Sequence, residues 1–145
     1  MPTVSDILSS KGESVYTISP DATALEAINK MNQHKIGALL VMRGSKLIGM
    51  FTERDVLRRV AGALKSPADV LVADVMTREV FCCPPHTDID DAALVMKERR
   101  VRHLPVTDSD EHICGMVSIG DINACHVSQA EATITFLNDY IYGRA

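Results

Sequence analysis

The chain has 145 residues, 46% of them hydrophobic, and 19 acidic side chains against 15 basic ones give a net charge of −4. That apolar content argues against intrinsic disorder, and the length fits one ordinary domain or two small halves that share a core. The acidic balance argues against a general polyanion binder, and three Tyr, three Phe and no Trp leave little aromatic platform for single-stranded nucleic acid.

Taken in chain order, the N-terminal segment Met1-Pro2-Thr3-Val4-Ser5-Asp6 lacks the basic-then-apolar pattern of a secretory signal. A lead-in, Val4-Ser5-Asp6-Ile7-Leu8, precedes a strand-like run from Val15 to Ile18. After Pro20, the stripe Ala24, Ala27, Ile28, Met31 has the i, i+3, i+4, i+7 spacing of a helix with one buried face. Two apolar runs follow, Ile36 to Val41 and Leu47 to Phe51, separated by the turn Arg43-Gly44-Ser45-Lys46. The first is apolar at nearly every position, which predicts a strand covered on both faces.

The same order then recurs. Val72-Ala73-Asp74-Val75-Met76 repeats the lead-in, Val80 to Cys83 the first strand, and Ile89, Ala92, Ala93, Met96 the helical stripe. Val101 to Val106 and Ile113 to Val117 repeat the hairpin runs. Each half therefore predicts strand–helix–strand–strand–helix, with a crossover between the first two strands and a hairpin between the next two. The fold class is α/β (α+β), with two pseudo-twofold-related halves packed through their small sheets. The expected boundaries are 1–62 for the first half, 63–71 for a linker and 72–128 for the second half. Residues 129–145 form a C-terminal helix and tail, with Ile134, Leu137 and Ile141 at helical spacing.

Both halves carry the pattern Gly-x-x-[Ser/Thr]-x-x-Asp where a strand hands over to a helix: Gly49, Thr52, Asp55 and then Gly115, Ser118, Asp121. A Thr or Ser before a helix with an acidic residue three positions later makes a capping box, so structure alone favours these residues. The same geometry also suits a ligand. Free N–H groups at a helix start attract phosphate, and a carboxylate beside them accepts ribose hydroxyls. The first turn adds Arg54, a cation able to pair with phosphate. The second has Gly120 there, so its phosphate charge must be met from elsewhere or a neutral part of the ligand sits there, and the Asp55 turn ranks as the better nucleotide site.

The segments Thr17 to Thr23, Ile36 to Val41, Phe51 to Asp55, Arg102 to Val106 and Val117 to Asp121 together make the chain resemble tandem CBS-domain (cystathionine β-synthase domain) proteins of the free-standing bacterial type. The resemblance covers nearly the whole chain and rests on the order and duplication of motifs that are individually short. It implies regulatory binding of an adenosine-type ligand, such as AMP, ADP, ATP, NAD or S-adenosylmethionine, in clefts between the halves. It also implies homodimers. By the same resemblance Asp55 faces Phe81, Val101 and Arg102, and Asp121 faces Tyr16, Ile36 and Gly37. Ile36 and Val101 equally fit plain core positions.

Catalysis has little support here: there is no P-loop, G-x-S-x-G or G-x-G-x-x-G. The Cys and His residues of the second half lack metal-ligand spacing, and the adjacent Cys82 and Cys83 do not resemble a disulfide framework. No apolar stretch approaches the roughly 20 residues of a membrane span. The expectation is a cytoplasmic, non-catalytic sensor of an adenine nucleotide, AMP first, that needs no cofactor. It acts as a homodimer or on an unidentified protein, without nucleic acid or membrane. The alternative is a ligand-free dimerisation or interaction module.

Overall fold

A computed structural model describes residues 2–12 and 15–142. It divides into two compact units, and they do not follow the repeat boundary. One unit takes residues 14–82 with Asp110–His112; the other takes the N-terminal segment, Cys83–Ser109 and the chain from Ile113 onward. Each unit thus contains the lead-in of the other half of the sequence.

In the first of these units, β1 (Thr17–Ile18) runs parallel to β2 (Ala38–Arg43), which is antiparallel to β3 (Lys46–Thr52). The crossover is α2 (Ala24–His34), and α1 (Val4–Lys11) belongs to the other unit. Thr23 caps α2 by accepting from the Glu26 N–H at 3.1 Å. Its Ala24, Ala27 and Met31 bury against Leu39, Val41 and Phe51, as the stripe predicts. The lead-in helix α4 (Val72–Val75) closes this core with Val72, Val75 and Met76. After β3 come a single turn, α3 (Glu53–Asp55), and a wide π-helical stretch, Val56–Ala61, where a regular helix was expected. The Gly62 N–H closes the wide turn on the Leu57 carbonyl at 2.8 Å. A Cβ at Gly62 would stand 2.7 Å from that oxygen, so the missing side chain permits the closure.

In the other unit, α1 (Val4–Lys11) packs beside β5 (Ile113–Ser118), the antiparallel partner of β4 (His103–Thr107). The crossover helix is α5 (Ile89–Arg99), burying Ile89, Ala92 and Met96. The expected strand from Val80 to Cys83 shrinks to one parallel bridge, Cys83 with Val106. Pro84 and Pro85 follow immediately, and neither has an N–H to extend a ladder. The last helix, α6, is continuous from Ile119 to Tyr142, so the second turn and the C-terminal stripe share one element. No helix among the described residues is long and apolar enough to cross a membrane.

The two motif glycines explain how the lead-ins dock. A Cβ on Gly49 would lie 2.6 Å from Met76 Sδ and 2.9 Å from the Thr77 carbonyl oxygen. A Cβ on Gly115 would lie 2.7 Å from a Leu8 methyl. Each lead-in therefore lies directly against the strand that ends in the Thr or Ser. At Gly49 the contact is with backbone: Met50 and Thr77 exchange N–H to carbonyl bonds of 2.9 and 2.8 Å.

Candidate functional site

At the first turn the Thr52 side chain and Asp55 form a complete capping box. The Thr52 N–H donates to Asp55 Oδ2 at 3.0 Å, and the Asp55 N–H donates to Thr52 Oγ1 at 3.3 Å. The docked lead-in adds Thr77, whose hydroxyl lies 2.9 Å from Oδ1 and 3.1 Å from Oδ2. Arg59 Nε stands 3.6 Å from Oδ1, while its guanidinium also donates to the Met76 carbonyl at 2.6 Å. Both carboxylate oxygens are thus engaged inside the protein, and Asp55 is only 3% exposed. A charged group so deep is tolerable because hydrogen bonds and a cation surround it. Arg54 lies exposed on the same turn.

The second turn repeats the backbone but not the partners. The Ser118 N–H donates to Asp121 Oδ2 at 2.8 Å, and the Asp121 N–H donates to Ser118 Oγ at 3.1 Å. The exchanged lead-in here supplies a cation: Lys11 Nζ donates to Asp121 Oδ2 at 2.7 Å and to the Met116 carbonyl at 2.9 Å. Both N–H donors fall on Oδ2, and Oδ1 receives none among the described residues. The Asp121 side chain is 24% exposed. Burial pushes its carboxyl up, but the Lys11 and Ser118 hydrogen bonds and the Lys11 charge outweigh that and hold it below its ordinary value of 3.8. In front of this turn a Cβ on Gly120 would meet only Ser118 Oγ, at 3.5 Å.

The remaining candidate residues sort by unit. Gly37 lies against the first turn, its carbonyl accepting from the Glu53 N–H at 3.1 Å. Arg102 holds the corresponding place at the second, accepting from the Ile119 N–H at 2.9 Å. The next residues pair across the sheets with the hydroxyl residues themselves, Ala38 with Thr52 and His103 with Ser118. Tyr16 is half-buried with its ring stacked on His34, centroids 4.0 Å apart. Ile36, Phe81 and Val101 are half-buried, whereas Arg102 is exposed. Ile36 borders a shallow cavity of about 160 Å³ with Ile28, Met31, Asn32, Glu53 and Val56.

Thr77 and Lys11 escape the sequence reading. Their signal was present in the motif glycines, which announce that something packs on each strand. What packs there is settled by the exchange of lead-ins, a long-range event that local patterns do not encode.

Two small α/β units, each ending a strand in a hydroxyl–carboxylate box, define a duplicated α/β module. Residues 4–62 and 72–125 each match the CBS-domain family, and the chain belongs to it as a tandem pair. It is 36% identical to the mitochondrial CBS domain-containing protein CBSX3 of Arabidopsis thaliana, over 97% of this chain and 72% of that one. The CBS-domain crystal structure of NE2398 superposes with a TM-score of 0.83 at 40% identity, covering 87% of this chain and 98% of that one. More distantly, the CBS domain pair of MJ0100, crystallised with 5′-methylthioadenosine and S-adenosyl-L-methionine, shares the fold. Its TM-score is 0.78 at 24% identity, over 89% of this chain and 98% of that one.

Proposed function

We propose that this CBS pair is a non-catalytic regulatory module that binds an adenosine-type ligand at its Thr/Ser-x-x-Asp turns. AMP is the first candidate, then ADP, ATP and NAD, and occupancy reports energy or redox state to a regulated protein. The observation that carries the reading is the Asp121 carboxylate. It sits on a turn whose neighbouring Gly120 is exposed, with one oxygen that takes no N–H donor among the described residues and so is ready to accept from ribose hydroxyls. The Asp121 turn fills first. At Asp55 a ribose has to displace the Thr77 hydroxyl, so that turn, although it carries Arg54, fills second or serves structure alone. The pair MJ0100, solved with two adenosine-containing ligands, supports the ligand class. Four free thiols suit a reducing compartment such as the cytoplasm.

The test is a thermal-shift series with AMP, ADP, ATP, NAD and S-adenosylmethionine on wild type and Asp121→Ala. The reading expects at least one ligand to raise the Tm of wild type and to lose that effect in the variant. A shift of equal size in both proteins contradicts it.

A second reading, a ligand-free dimerisation module, draws on α6. Val127, Ile134 and Ile141 recur at heptad spacing, with Ala130 and Leu137 in the intervening d-type positions. Val127, Ile134, Leu137 and Ile141 are 55%, 59%, 48% and 69% exposed. A stripe of this period fits a second helix carrying the same stripe, which makes a second copy of this chain its occupant. A sensor and a dimer are compatible; the second reading stands alone only where every ligand is silent.

A further inference from the structure

We infer that Lys11, delivered by the exchanged lead-in helix, determines ligand charge at the Asp121 turn by transferring from the carboxylate to the ligand's phosphate. This rests on the adenosine reading above and specifies it: the ligand must carry an anionic group close to its ribose.

The starting point is an imbalance between the two halves. Position 54 is an arginine in the first turn, and position 120 is a glycine in the second. A phosphate at the second turn therefore has no cation from the turn itself. The lead-ins reverse that difference. At Asp55 the lead-in presents the neutral Thr77 hydroxyl, and at Asp121 it presents the Lys11 ammonium. Charge missing from the turn is thus restored from α1.

The ammonium is suited to change partners. It has three N–H donors. Among the described residues two are used, on Asp121 Oδ2 and the Met116 carbonyl, and the Lys11 side chain remains 38% exposed. The Met116 bond anchors the head beside the turn whichever anion it serves. Lys11 is the last residue of α1, and Leu8 one turn earlier is fixed against Gly115, so the root of the side chain does not wander. Its four-carbon stem lets the head move by ångströms without moving the helix. As Asp121 turns toward ribose hydroxyls, Lys11 keeps Met116 and takes the phosphate oxygen in exchange for the carboxylate. A neutral nucleoside offers no such exchange, and must compete with Lys11 for Asp121.

The test compares AMP with adenosine by calorimetry on the full chain, as wild type, Lys11→Met, Lys11→Arg and Asp121→Ala. Lys11→Met is expected to weaken AMP binding by about ten- to a hundredfold, the usual loss for a charge-assisted hydrogen bond. It should leave adenosine unchanged or tighter. Lys11→Arg should keep most of the preference for AMP. Wild-type affinity should fall with added salt for AMP and hold for adenosine, a readout that needs no variant. Equal affinities of wild type and Lys11→Met for AMP, or parallel losses for both ligands, overturn the role of Lys11 while the adenosine reading stands. Wild type silent to AMP and adenosine alike overturns AMP as the ligand and the role of Lys11 with it; the adenosine reading itself falls only if ADP, ATP, NAD and S-adenosylmethionine are silent as well.

Discussion

The same carboxylate has different hydrogen-bond partners at two equivalent positions. Asp55 accepts from the Thr52 N–H and from Thr77 in a buried setting, so Asp55→Ala leaves those donors stranded. A loss of about 1–3 kcal/mol is expected in urea unfolding. Asp121→Ala, at a more open site, should cost clearly less; equal losses contradict the assignment of Asp55 to structure. Asp121 also sets a pH signature. Its folded pKa lies below the ordinary value, so the stability it contributes through Lys11 is complete above about pH 4 and drains as pH falls further. The urea midpoints of wild type and Lys11→Met should therefore converge from about pH 4 downward. A constant gap across that range would count against the ion pair. The glycines offer a third contrast. Gly49→Ala meets the Thr77 backbone and should cost about 1–3 kcal/mol, whereas Gly115→Ala meets a Leu8 methyl that can rotate and should cost less.

Among the elements, what was legible in the sequence was what local patterns encode. The stripes of α2 and α5, the hairpins of β2 with β3 and β4 with β5, and both hydroxyl–carboxylate turns lie where spacing puts them. What was not legible depended on competition. Val80 to Cys83 carries strand-like residues, yet Pro84 and Pro85 withhold the donors that would lengthen the pairing. Val56–Ala61 reads as helix but widens into a π turn, with Gly62 allowing the closure. The lead-ins match each other so well that the repeat assigns each to its own half, and only the packed units reveal the exchange. The ranking of sites moved for this reason. Sequence placed Asp55 first because of Arg54, whereas the partners brought by α1 and α4 leave Asp121 with the more accessible carboxylate.

For the whole molecule, two questions follow: does the chain self-associate, and does it bind. The apolar heptad face of α6 predicts a homodimer in sedimentation velocity, converted to monomer by Ile134→Glu with Leu137→Glu. A wild-type monomer at tens of micromolar, on the order expected for a working dimer, removes that use of the helix. Binding decides more. A sensor requires a ligand that favours one state over another, typically by about 1–3 kcal/mol of coupling. The decisive measurement is calorimetric titration of the purified chain with AMP, ADP, ATP, NAD and S-adenosylmethionine at ordinary salt. Saturable binding of at least one, abolished by Asp121→Ala, is the predicted result, and its stoichiometry counts the turns that fill. No heat from any of the five, with a folded protein in the cell, contradicts the sensor reading and leaves the α6 face as the working surface.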